Sequence, residues 1–264
     1  MSVLHSQSGM SADQCNILNF NVRYKVKTKT YRDFFILNVI ALSISGVIFI
    51  WLARDGALDF WITGHFFDVK NHIFPFENSS LLENIGHTFL KDLTAFFLII
   101  GIVLSILGFW NSSLRSLRRP LISFCVMAGA SALFISFLKA TSIHACPWDI
   151  EMYGGHLPWL PLFTQLTTHI VPGHCWPGGH ASGGFALVAG YFSFKEDRPA
   201  WARMFLITGL VFGFVMGFVQ IVRGAHFLSH NLWTLWLVWA LCFVLDGLIR
   251  YISLKVPKRQ FCYP

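Results

Sequence analysis

The stretch MFLITGLVFGFVMGFVQIVRGAHFLSHNLWTLWLVWALCFVLDGLIRY, residues 204–251, decides the fold. Two apolar runs, 204–222 and 232–251, flank a short polar segment that carries Arg223, His226, His230 and Asn231. Each run is long enough to cross about 30 Å of hydrocarbon as an α-helix rising about 1.5 Å per residue. In lipid a helix satisfies its own backbone hydrogen bonds, so the pair is predicted to form two transmembrane helices. The turn between them holds a cation and two imidazoles.

Four further runs lie upstream, at 34–53, 94–110, 121–138 and 181–194, the last short and glycine-containing. The composition agrees: hydrophobic residues make up 55%, charged residues 12%, and mean hydropathy is +0.57, outside the ordinary soluble range. The first run follows a polar arm and lacks a small-residue cleavage pattern, unlike a signal peptide. The expected architecture is an all-α integral membrane protein with six transmembrane helices. Its expected parts are a basic arm at 1–33, a membrane domain at 34–252 and a tail at 253–264.

Lys and Arg placement sets the orientation, because loops rich in them stay cytoplasmic. The arm, the loops after the second and fourth runs and the tail region together hold 15 of the 20 basic residues. Arg54, Lys70, Lys91, Lys139 and Arg223 are left for the other side. The sequence thus predicts a multi-pass protein of the cytoplasmic (inner) membrane with both termini cytoplasmic. The net charge of +7 follows from this topology and an anionic inner leaflet, and gives no case for nucleic-acid binding. Lys139 and Arg223 abut apolar runs on the basic-poor side, where an ionisable group is either a snorkelling anchor or functional.

Two long connections, 54–93 and 139–180, fall on the outer side, where function is expected. The first, with Phe60, Trp61, Phe66, Phe67, Phe74 and Phe76, reads as an interfacial segment along the headgroups. Seven of the 11 histidines, His144, His156, His169, His174, His180, His226 and His230, map to outer loops or outer span ends. Metal binding would draw on His169, His174 and His180 with Asp149 or Glu151, but no HExxH motif supports it. Phosphoryl transfer would need one His as nucleophile, a second as general acid, and cations with backbone N–H groups for the phosphate oxygens. KATSIHACPWD (139–149), PGGHASGG (177–184) and VRGAHFLSHNLW (222–233) supply these parts.

Those three segments, in that order, resemble the motifs of the type 2 phosphatidic acid phosphatase superfamily, membrane lipid phosphatases related to vanadium haloperoxidases. That pattern is a Lys, six residues and Arg-Pro; then Pro-Ser-Gly-His; then Ser-Arg, five residues, His, three residues and Asp. The resemblance covers 121–251 and implies a haloperoxidase-like helical core. It implies that His226 attacks phosphorus, His180 protonates the leaving alcohol, and Lys139 holds phosphate oxygens. Gly178 and Gly179, opening the fourth span, would add an N–H cradle.

The departures from the pattern are specific. Cys146 stands where the first motif has Arg, Gly178 where the second has Ser, and Gln220 where the third has Arg. Arg223 would replace one lost cation, projecting one turn before His226 if the helix continued. The third motif's Asp, which orients the nucleophile, is His230 here; His230, Asn231 or Asp149 could fill that role. A catalytically weakened family member is the alternative.

Cys125 and Cys242 fall within spans as packing residues, whereas Cys146 and Cys175 share the outer loop beside the first two motifs. On an oxidising side they are expected to form a disulfide. Trp148, Trp159 and Trp176 flank the site, either as walls for an acyl or prenyl chain or as headgroup anchors. Gly183 and Gly184 are expected to permit close helix packing. The expected function is removal of phosphate from a lipid phosphate or diphosphate at the outer (periplasmic) face, without a metal or other cofactor. Membrane lipids are the expected surroundings; the sequence identifies no protein partner. A lipid-to-lipid phosphotransferase and a non-catalytic lipid-binding or transport protein are the rival readings.

Overall fold

A computed structural model of the chain describes residues 12–84, 89–163 and 171–255. Helices account for the regular structure: α1 (Ala12–Leu52), α2 (Ala57–Gly64), α3 (Ser80–Glu83), α4 (Leu90–Leu107), α5 (Arg115–Ala140), α6 (Gly179–Phe185), α7 (Ala189–Phe194), α8 (Pro199–Val222) and α9 (Leu228–Lys255). Among the described residues, β pairing is confined to two isolated bridges, Asp68 with Ile73 and Ile150 with Leu157. The chain divides into two compact units, residues 1–45 and 46–264. The first is the N-terminal part of α1; the second carries everything below.

Four of the described helical segments are long and apolar enough to cross a membrane: Tyr31–Leu52, Ser112–Ala140, Pro199–Val222 and Leu228–Ser253. Their outward side chains are apolar, with Leu133 75% and Val211 51% exposed, as suits a lipid surround. This is a membrane protein.

The other two expected spans depart from full length. The apolar part of α4, Asp92–Leu107, is short. The 181–194 run is divided: α6 and α7 are joined by a 3₁₀ turn at Ala186–Val188. With α-helix rising about 1.5 Å and 3₁₀ about 2.0 Å per residue, the composite covers roughly 25 Å, short of about 30 Å of hydrocarbon. It is instead a central element. Ala181, Phe185, Val188, Ala189 and Phe194 are fully buried, and the composite packs against α5, α8 and α9.

Glycine makes that central packing possible. A Cβ on Gly184 would overlap the Gly213 backbone of α8, and one on Gly213 would overlap the Phe185 ring. The two backbones meet at a distance only hydrogen side chains allow. Gly183, by contrast, faces only the Met216 methyl at ordinary contact distance, so close packing is the role of Gly184.

The 54–84 region packs its aromatic residues into a cap over the neighbouring helix ends. Phe74, Ile150, Tyr153 and Phe227 are buried together, with Phe60, Phe66, Phe67 and Trp159 packed against them. The Tyr153 hydroxyl donates to the Phe60 carbonyl at 3.2 Å. Edge-to-face pairs such as Phe67 with Tyr153, centroids 4.9 Å apart, add specificity to this packing. Trp61 stays exposed to the surroundings.

Candidate active site

The polar ends of α5, α6, α8 and α9 meet beneath this cap. Lys139 lies in the last turn of α5, His180 in the first turn of α6, His226 in the turn after α8, and His230 in the first turn of α9. The His180 and His226 rings face each other with centroids 5.8 Å apart, and His226 and His230 are also 5.8 Å apart. Lys139 Nζ lies 3.6 Å from where a Gly179 Cβ would sit. That is ordinary contact distance, and it puts the ammonium beside the start of α6.

His226 is 1% exposed, and its Nε2 has no hydrogen-bond partner. Burial, together with the positive fields of His230, Lys139 and His180, holds its pKa well below the ordinary 6.5. The ring is therefore neutral at pH 7, with a lone pair available. The Gln220 carbonyl fixes its backbone by accepting from the Ala225 and His226 amides at 2.8 and 3.2 Å. The side-chain Nε2 of Gln220 is buried without a partner.

The turn that presents His226 corrects the expected helical continuation. Gly224 has φ of +75°, the left-handed region that ends a helix, so Arg223 caps α8 and is not one turn below His226. A Cβ at 224 would also strike Phe74, 2.5 Å away. Arg223 instead donates Nε to the Glu77 carbonyl at 3.0 Å, tying the cap to α8.

The Gly178 and Gly179 cradle is likewise partly engaged. The Gly178 amide donates to the His230 carbonyl at 3.2 Å, and the Gly178 carbonyl accepts from Thr234 Oγ1 at 3.2 Å. Gly178 is thereby a joint between α6 and α9, and Gly179 remains the glycine beside Lys139. A Cβ at 178 would sit 2.5 Å from Asn231 Oδ1, which explains why no Ser occupies this position.

None of the three residues expected to orient His226 is hydrogen-bonded to its ring. Asn231 donates Nδ2 to the Gly217 and Phe227 carbonyls at 3.1 and 3.4 Å. Asp149 accepts from Trp148 Nε1 at 3.1 Å, and its pKa is raised by burial. His230 Nδ1 is buried without a hydrogen-bond partner. The atom facing His226 Nδ1 is Cys175 Sγ, at 3.3 Å. Cys175 is bonded to Cys146, joining the Lys139 and His180 segments.

Of the histidines offered for metal binding, His169 lies outside the described residues and His174 is exposed. Among the described residues, the gathered ligating set is instead Cys146, Cys175 and His226, all donor atoms within 4.8 Å of one another. His144 is buried nearby, its Nε2 3.3 Å from the Pro161 carbonyl and its ring 6.0 Å from Trp176.

One supporting residue carries no motif signal. Asp59, from α2, is 5% exposed and accepts from the Ser229 amide at 2.9 Å and the Ser229 hydroxyl at 2.5 Å. It caps the N-terminus of α9 from 170 residues away. It is one of several charged residues in the 54–93 connection, and nothing in the sequence singles it out.

Fold and site together define a helical membrane protein with a histidine–lysine centre at one end of its bundle. Residues 120–252 match the model of the PAP2 superfamily, and the chain belongs to that superfamily, the type 2 phosphatidic acid phosphatases. No curated protein and no solved structure matches it. Members of the superfamily are generally phosphatases or other hydrolases, and its phosphatases act on lipid phosphates in membranes.

Proposed function

We propose that this protein hydrolyses a phosphate monoester or diphosphate of a lipid at the outer face of the cytoplasmic membrane through a phosphohistidine. The observation that carries the reading is a buried, neutral His226 with an unpartnered Nε2, facing His180, beside the Lys139 ammonium. His226 Nε2 attacks phosphorus as the P–O bond to the lipid breaks, and protonated His180 gives its proton to the departing oxygen. Water then attacks phosphorus, His180 takes its proton, and the P–N bond breaks to release inorganic phosphate. Lys139 balances charge on the equatorial oxygens throughout. The unmatched Gln220 amide supplies a neutral donor at the position where the family motif has Arg.

Sidedness in this proposal has six membrane-embedded segments, α4 and the α6–α7 composite included, with both termini cytoplasmic. Support comes from the opposite end of the same helices. There Lys195 pairs with Asp246 at 2.7 Å, Arg250 pairs with Glu196, and Arg198 donates to Ser116 at 3.2 Å. Basic residues so concentrated mark a cytoplasmic face.

The test is phosphate release by detergent-purified protein from phosphatidic acid, phosphatidylglycerophosphate, a polyprenyl diphosphate and a lipid A phosphate. Release lost in His226→Ala and retained in excess EDTA is the expected result. Release that needs a second lipid as acceptor would replace hydrolysis by phosphotransfer, and release that survives His226→Ala would remove the phosphohistidine.

A further inference from the structure

We propose that Cys146, Cys175 and His226 form a redox-gated site for a thiophilic divalent cation such as Zn²⁺, closed while the cysteines are bonded and opened by their reduction. The three ligand atoms lie within 4.8 Å of one another, with Cys175 and His226 buried and Cys146 partly exposed as the entry. Two thiolates and an imidazole are a donor set that zinc favours. Zn–S bonds of about 2.3 Å and Zn–N bonds of about 2.0 Å place tetrahedral S and N ligands roughly 3.5 Å apart. Cys175 Sγ and His226 Nδ1 already stand 3.3 Å apart. Once the bond is cleaved, only the sulfurs have to part.

The gating step balances as thiol–disulfide exchange. A dithiol reductant passes two electrons to the Cys146–Cys175 bond, leaving two protein thiols and the reductant's own disulfide. The cation then binds both thiolates, with release of two protons, and the Nδ1 lone pair of His226. In the bonded state the sulfur is a weak acceptor for Nδ1–H, leaving the Nε2 lone pair free. In the metal-bound state Nδ1 is occupied, so the neutral ring must carry its proton on Nε2 and cannot attack phosphorus. This consequence, and only this one, rests on the proposed role of His226 as nucleophile.

The experiment uses the full chain in detergent, reduced with a phosphine, desalted, and titrated with Co²⁺ as spectroscopic probe. A denatured thiol count confirms that two new thiols have appeared. The expected result is one Co²⁺ per chain with a sulfur-to-metal charge-transfer band after reduction, and no such band in the oxidised protein. Cys175→Ser should abolish the band, and His226→Ala should weaken binding by at least about tenfold. A reduced protein that gives no band, or a band unchanged in Cys175→Ser, overturns the site. If Cys175→Ser does not fold, Cys146→Ser serves the same comparison. Phosphate release by the reduced protein with Zn²⁺, before and after EDTA, is measured separately. Reversible loss supports the silencing of His226, whereas full activity with Zn²⁺ bound overturns that consequence. If no lipid is hydrolysed by either form, the phosphatase reading fails while the Co²⁺ titration still decides the metal site.

Discussion

At the residue scale, Lys139 and Arg223 have different surroundings and different expected roles. Lys139 stands beside Gly179 and acts electrostatically on His226, whereas Arg223 is drawn to the Glu77 carbonyl. Lys139→Ala is expected to lower kcat about 10²–10³-fold, the usual cost of removing a group that stabilises transition-state charge. Arg223→Ala is expected to keep kcat within about tenfold and to lower the thermal midpoint, because the cap is loosened. Steady-state kinetics and a thermal melt of both variants separate the roles. His226 adds a pH prediction: with its pKa depressed well below 6.5, the neutral nucleophile persists as pH falls through the ordinary histidine range. The acid limb of kcat/KM should therefore lie well under 6.5, and a nucleophile limb at or above that value would contradict the burial argument.

At the element scale, α9 presents His230 and Asn231 because Asp59 holds its first turn. Burial raises the Asp59 pKa from 3.8 to about 6, against the lowering effect of its bonds to Ser229. A carboxyl whose folded pKa is raised binds its proton more tightly in the native state. Its stabilising contribution is present below about 3.8 and is lost as pH rises to about 6, up to roughly 3 kcal/mol. Asp59→Asn, which keeps an accepting oxygen for the Ser229 amide, should flatten the pH dependence of the thermal midpoint between about 4 and 6. Asp59→Ala should cost about 1–2 kcal/mol through the lost cap. The α6–α8 contact makes a second element-scale prediction. Gly184→Ala forces a methyl into the Gly213 backbone and should destabilise by about 1–3 kcal/mol or more, read in a detergent melt.

At the scale of the whole molecule, the 54–84 cap, the Cys146–Cys175 bond and the helix ends form one assembly over the site. The bond closes a sequence separation of 29 residues, for which chain-entropy reasoning gives about 3–4 kcal/mol. Reduction without added metal should lower unfolding stability by an amount of that order, measured by chemical denaturation. The cap explains why reduction matters beyond stability: Trp148 donates its amide to the Gly224 carbonyl at 3.0 Å, so the Cys146 segment grips the turn that presents His226.

The sequence by itself determined the membrane class, apolar runs that overlap the four helices long enough to span, and the motif matches at Lys139, His180 and His226. Those properties are local: hydrophobic run length and motif spacing are written in contiguous residues. It did not show that the 181–194 run divides into α6, a 3₁₀ turn and α7 packed at the centre of the bundle, because apolar composition does not distinguish a lipid-facing helix from a buried one. It ended the fifth run at Val222, as α8 does, but placed Arg223 by a helical continuation that Gly224 interrupts, a left-handed residue whose missing Cβ leaves room for Phe74 of a distant loop. Only the tertiary structure decided that Cys175 faces His226 Nδ1, 51 residues apart in sequence, and that Asp59 caps α9. Such pairings arise from how helices and loops close over one another, and a buried polar group takes whichever partner that closure brings within hydrogen-bond reach.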